Sequence, residues 1–190
     1  MKLPFPSYKT TFTCDCTMQE ATKKIQDCVA QNHKEMKIKK AEYDGVQKFV
    51  IETSTGSLFY RNSALPKIQI CLKPIGEKTE VTMLFELKSD IKIVSSFFIA
   101  LALFMIFTIL VISIKDKLPL SFDLFSLPLT SIGLMTIMNV VSLKITSKSK
   151  MKIFLEEFGY NHKDKENSPK LELVKPFTST ESKDIKLFKQ

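Results

Sequence analysis

Hydrophobic and polar positions change their rhythm three times along the chain, and each change marks a segment with its own physics. Residues 1–92 carry short alternating runs broken by turn residues. Residues 8–16 (YKTTFTCDC) partly alternate and are rich in β-branched and aromatic types, which predicts a strand. Thr17 follows, with Glu20 three residues on, the capping-box pattern in which hydroxyl and carboxylate satisfy backbone N–H groups at a helix start. Met18, Ala21, Ile25, Cys28 and Val29 then fall on one face of a helix over about 18–31, opposite Glu20, Lys23 and Asp27. Five further strand-like segments come next, at 36–43, 46–53, 57–61, 67–73 and 79–87. Asp44-Gly45, Thr55-Gly56, Pro66 and Gly76-Glu77-Lys78 separate them as turn signals. The order β-α-β-β-β-β-β predicts an α+β domain over 1–92, a small antiparallel sheet with one covering helix. A domain of that size buries a limited core and draws support from the membrane helices or from another subunit.

The second regime is continuous apolarity. Residues 93–114 (IVSSFFIALALFMIFTILVISI) contain no charge, and neither do residues 124–143 (LFSLPLTSIGLMTIMNVVSL). A bilayer core of about 30 Å needs roughly 20 apolar residues in a helix, and both runs reach that length. The region 93–143 is therefore expected to form a two-helix transmembrane hairpin. The first run follows 92 residues of mostly polar chain, unlike a signal peptide. Asn139 is the one strongly polar side chain deep in a span. Two readings suit it: a hydrogen bond that packs the hairpin or joins a second copy, or a side chain close enough to the headgroups to stay hydrated.

The third regime, residues 144–160, is amphipathic. Met151, Phe154, Leu155 and Phe158 share one side of a short helix over 147–158, and Gly159 is a helix stop. That face lies either in the membrane interface or on the amino-terminal domain. Lys144, Lys148, Lys150 and Lys152 flank it and are candidates for contact with the membrane surface. The tail, 161–190, is Lys-, Ser- and Glu-rich and is expected to be largely disordered, with Leu171, Leu173 and Val174, then Ile185, Leu187 and Phe188, as short docking pieces.

Charge orients the hairpin. The chain has 28 basic and 20 acidic residues, a net charge of +8. Residues 1–92 and residues 144–190 each carry +4, whereas the loop over 115–123 has two lysines, two aspartates and no net charge. The positive-inside rule then places both termini in the cytoplasm, in a multi-pass protein of the cell membrane. Mildly basic flanks suit chain lying near an anionic leaflet, so membrane lipid is an expected partner. Nucleic acid is not, because a basic patch for that purpose is clustered and often arginine-rich, and the only arginine is Arg61.

Few residues form a catalytic or metal-binding pattern. Cys14 and Cys16 point to one face of a strand and Cys28 lies on the helix above, a set with a possible zinc chemistry. Reduced cysteines packing as small hydrophobes are the simpler reading, and no metal or other cofactor is expected. His33 and His162 are the two histidines, and neither belongs to a ligand or base motif. Gly76-Glu77-Lys78-Thr79 lacks the upstream glycine and following helix of a phosphate loop and reads as a hairpin turn. No ionisable residue lies within either span, which argues against a pore.

The stretches YDGVQKFVIE, YRNSALPKIQI and EKTEVTMLFEL, followed by two spans and FLEEF, resemble a family of small uncharacterised bacterial membrane proteins across roughly residues 43–158. Gly45, Arg61, Asn62, Ser63 and Pro66 match its pattern, while Ala64 stands where an aromatic residue is more usual and Glu77-Lys78-Thr79 replaces a simpler Gly-Thr turn. The resemblance implies a layout and no catalytic residues. Two functions are expected. In the first, a non-enzymatic chain anchors a cytosolic interaction domain that binds a protein partner, joins a complex as an accessory or immunity-type subunit, or forms a homo-oligomer. In the second, the chain binds a lipid or small apolar ligand, with Phe12, Phe49, Phe59 and Phe85 as lining residues.

Overall fold

A computed structural model of the chain describes residues 5–43, 45–53, 66–115, 122–160 and 169–174. The segment at 57–61, Phe59 within it, and residues 175–190 lie outside the described residues. Strand β1 spans Ser7–Cys14 and is followed by helix α1, Met18–Gln31. Strands β2 (Met36–Tyr43), β3 (Gln47–Thr53), β4 (Pro66–Ile75) and β5 (Lys78–Leu87) come next. Helices α2 (Ser89–Lys115) and α3 (Phe122–Glu157) follow, and a short β6, Glu172–Val174, ends the described chain.

Local chemistry sets each of these elements. Thr17 and Glu20 form the capping box at the head of α1, with the Glu20 backbone N–H donating to Thr17 Oγ1 at 3.3 Å and the Thr17 N–H donating to Glu20 Oε2 at 2.9 Å. Those bonds favour the ionised form and hold the Glu20 carboxyl below its usual range. At the other end, Asn32 Nδ2 donates to the Cys28 carbonyl at 2.8 Å and closes the last turn. Gly76 takes φ +62° at the first of two residues joining β4 to β5, a conformation that costs glycine nothing and lets Ile75 pair directly with Lys78.

All strand pairs are antiparallel and the sheet order is β2-β3-β4-β5-β1-β6. The fold is α+β. Strand β1 does not neighbour β2; it lies beside β5, and α1 crosses the sheet to deliver β2 to the far edge. The tail supplies the sixth strand. Ser7 pairs with Val174 and Lys9 with Glu172, and Leu171 packs on the core. The docking piece expected at Leu171, Leu173 and Val174 thus covers the start of the outer edge of β1, Ser7 to Lys9, which would otherwise present unpaired backbone groups.

The core lies on one face of the sheet. Phe12, Phe49, Ile51, Ile68, Ile70, Leu72, Met83 and Phe85 point into it, and Ala21, Ile25, Cys28 and Val29 of α1 cover it. A second helix covers it as well. Leu143, Met151, Phe154, Leu155 and Phe158 join the same cluster. The amphipathic face at the end of the chain thus packs on the amino-terminal domain, one of the two placements open from sequence. It is not a separate short helix either, because it is the last part of the unbroken 36-residue α3.

The end of α3 is locked in place. Gly159 adopts φ +84°, and its N–H donates to the Glu156 carbonyl while the Tyr160 N–H donates to the Leu155 carbonyl, a Schellman closure. The closure aims Tyr160 at β1, where its hydroxyl donates to the Thr13 carbonyl at 2.7 Å. Phe12 meets Phe158 and Tyr160 edge-on, with ring centroids 5.5 and 5.2 Å away.

Candidate functional site

Two helices, α2 and α3, are long and apolar enough to cross a membrane. An apolar helix of this length in a water-soluble core is mostly buried by its own protein. Here 11% of the apolar stretch of each helix is buried. Phe97, Phe104, Phe107, Leu127 and Ile137 stand exposed. Exposed apolar surface on this scale needs a nonaqueous neighbour. Hydroxyls along the helices bond back to their own backbone, as Ser96 does to the Lys92 carbonyl (2.7 Å), Thr108 to Phe104 (2.9 Å) and Thr136 to Ile132 (2.8 Å). That habit leaves these donors satisfied without water.

Among the described residues the helices meet through small residues and a polar pair. Ser95 and Ala102 of α2 are buried, and Asn139 Nδ2 of α3 donates to Ser95 Oγ at 2.9 Å. Ser95 is two residues inside the first apolar run, so this bond lies at the end of the hairpin nearest the sheet.

The four lysines picked from sequence separate into two environments. Lys144 and Lys148 are exposed, and so is Lys152, whose ammonium is 3.6 Å from Glu156. Lys150 is 7% exposed and forms an ion pair with Glu35, in the turn between α1 and β2. It is therefore committed to the interface between α3 and the domain rather than turned outward. The reason is helical phase: Lys150 falls beside Leu143, Ser147, Met151 and Phe154, all on the buried side.

The cysteines are free. Cys14 Sγ donates to the Thr79 carbonyl at 3.4 Å. Burial pushes the Cys14 thiol up to about 12 and the Cys28 and Cys71 thiols to about 11, so all three are uncharged at neutral pH. Among the described residues no group of three or more His, Cys, Asp or Glu side chains is placed to hold a metal ion. His33 Nδ1 lies 3.1 Å from the Ala30 carbonyl at the end of α1. Phe12, Phe49 and Phe85 are enclosed in the core, where packing accounts for them.

A further feature was not legible in the sequence. The second face of the sheet, opposite the core, carries a groove of about 630 Å³ where β2, β3 and β4 reach the start of α2. Lys39, Lys40, Lys67 and Lys88 line it, with Val50, Glu52, Ser89 and Asp90. Lys39 Nζ lies 2.7 Å from Glu52 Oε1, and this bond, with the charges of Lys39, Lys88 and Lys67, holds the Glu52 carboxyl below its usual range. Lys88 bonds the Thr53 carbonyl. The pairing slips between Ile38 and Lys40, so two consecutive lysines turn toward the groove instead of alternating across the sheet. The Lys39-Lys40 doublet in an otherwise alternating strand was the only sequence signal for it.

No protein family, curated protein or solved structure matches the chain.

Proposed function

We propose that the chain is an integral protein of the bacterial cell membrane that holds a small cytosolic α+β domain against the inner face and presents it to a protein partner, without catalysing a reaction. The observation that carries this reading is the continuity of α3. At about 1.5 Å per residue its 36 residues run about 54 Å, against a hydrocarbon core of about 30 Å. The surplus is the stretch whose Met151, Phe154 and Leu155 form part of the domain core. A flexible tether would let the domain search; a helix shared by bilayer and core fixes its height and attitude. A domain held so presents its second sheet face at a fixed height, where a protein in or on the same membrane can meet it. The accessory-subunit and immunity-type roles are versions of this reading, and the resemblance to small bacterial membrane proteins belongs with it.

The basic flanks support cytoplasmic termini, with Lys144, Lys148 and Lys152 facing anionic headgroups. A cysteine introduced for Ser121, a position outside the described residues, reports this orientation: an impermeant thiol reagent labels it in intact cells. Labelling only after lysis reverses the orientation. For the partner, affinity capture of the full chain from detergent, repeated across salt concentrations, recovers a defined second protein. Recovery of the chain alone under every condition removes the interaction role.

A second reading is favoured by a shallow apolar cleft of about 110 Å³ between α2 and α3, lined by Phe98, Ala102, Met105 and Ile132 among others. A cleft of this kind suits one acyl chain, and native mass spectrometry in mild detergent then shows a retained lipid.

A further inference from the structure

The groove lies at the foot of the same sheet face, and its chemistry differs from that of a protein-binding surface. Its depth in the membrane follows from the chain. The uncharged run of α2 begins at Ile93, and Lys88 precedes it by five residues, about 7.5 Å at 1.5 Å per residue. The headgroup layer on each side of the hydrocarbon core is about 5–8 Å deep. The groove therefore opens at the level of lipid phosphates.

Its charge and shape agree with that level. Four lysines and two carboxylates line the groove; Glu52 is matched to Lys39, and Lys40 is paired with Glu42 outside the lining, which leaves Lys67 and Lys88 facing Asp90 and a net positive charge. Helix α2 starts in the groove, and first-turn amides of a helix have no intrahelical acceptor and sit at the positive end of its dipole. The volume, about 630 Å³, falls in the range of small-molecule sites. Val50 supplies an apolar wall.

We propose that this groove, formed by Lys39, Lys40, Lys67, Lys88 and the start of α2, binds the phosphate of an anionic headgroup. The inference rests on the membrane placement proposed above. Phosphate oxygens are acceptors and suit lysines that converge from two strands, β2 and β4, and from Lys88 just before α2. A lipid phosphodiester and a free phosphate species share this chemistry, and the site's height favours the lipid.

The test uses the full chain. Resistance of the membrane-bound protein to carbonate extraction is measured first; extraction into the supernatant sinks the membrane reading itself, separately from the groove. Native mass spectrometry in mild detergent then compares retention of phosphatidylglycerol with phosphatidylcholine. Wild type retains phosphatidylglycerol preferentially. Lys40→Gln and Lys67→Gln each lower that preference roughly fivefold. Glu52→Gln, which removes a negative charge from the groove, raises it by a similar factor, a gain that misfolding cannot mimic. A Lys144→Gln/Lys148→Gln pair leaves the difference between wild type and the groove variants in place. Inorganic phosphate is titrated in parallel: binding of phosphate alone, lost in Lys67→Gln and accompanied by no lipid preference, assigns the groove to a soluble phosphate species. Equal retention of both lipids with no phosphate binding, or a preference untouched by Lys40→Gln, Lys67→Gln and Glu52→Gln, overturns the proposal.

Discussion

Asn139 of α3 donates a hydrogen bond to Ser95 of α2 at 2.9 Å, a polar link between the two long apolar helices. It lies at the sheet end of the hairpin, where the helices enter the domain. A bond at that point fixes the splay of the helices and, through α3, the seat of the domain.

Replacing Asn139 with Leu should therefore loosen the hairpin by about 0.6–1.7 kcal/mol, the range of interhelical hydrogen bonds in membranes. Ser95→Ala should cost the same, and the double variant no more than either single one. Unfolding in mixed detergent with a graded SDS fraction measures this. Additive losses would show that the two side chains act separately.

Phe154 is fully buried between α3 and the sheet. Phe154→Ala should destabilise the domain by about 3–5 kcal/mol, whereas Phe154→Leu, closer in volume, should cost about 1–1.5. Limited proteolysis of the detergent-solubilised chain reads the difference as faster cleavage between residues 1 and 87, with the hairpin left intact. Unchanged proteolysis in Phe154→Ala would detach the end of α3 from the core.

The Lys150–Glu35 pair is lopsided. The lysine side chain is 8% exposed and the glutamate 55%. Glu35→Ala leaves a buried ammonium without its partner and should cost about 1–2 kcal/mol, less than the 3–5 of a fully enclosed pair because water reaches Glu35. Lys150→Met removes the charge and keeps the stem, so it should change stability by under about 1 kcal/mol. Thermal unfolding of both variants settles the order; a larger loss for Lys150→Met reverses it.

Thiol reactivity and pH give a fourth measurement. Cys14, Cys28 and Cys71 are buried with raised pKa values, and Cys16 is half-exposed. At pH 8 an alkylating reagent should modify Cys16 in the folded chain and all four after denaturation. Linkage has a definite sign. Below the unfolded value of 9.0 both states keep these protons. Between 9 and about 11 the unfolded chain releases them and the folded domain does not, so stability falls as pH rises through that window. A stability flat from pH 8 to 10.5 would place these thiols in water.

Local features were legible in the order of residues alone. The length of the two apolar runs, the Thr17–Glu20 cap, the helical face of α1 and the alternation of β4 and β5 each depend on neighbours a few residues away. Periodicity and turn chemistry report those directly. Features that depend on distant neighbours emerged only in the folded chain. Strand β1 pairs with β5, more than 60 residues later, because α1 carries the chain across the sheet. The amphipathic face after the second span was open to lipid or protein, and the core supplied its partner. Along the chain Lys150 looks like Lys144 and Lys148, and helical phase turns it against Glu35. Residues 172–174 carry too little apolar character to fold alone and take strand geometry only from the free edge of β1. The groove lysines come from two strands and the residue before a helix, so no spacing along the chain could have joined them. Local patterns specify elements; long-range pairing, which costs loop closure before it returns contacts, specifies which elements meet.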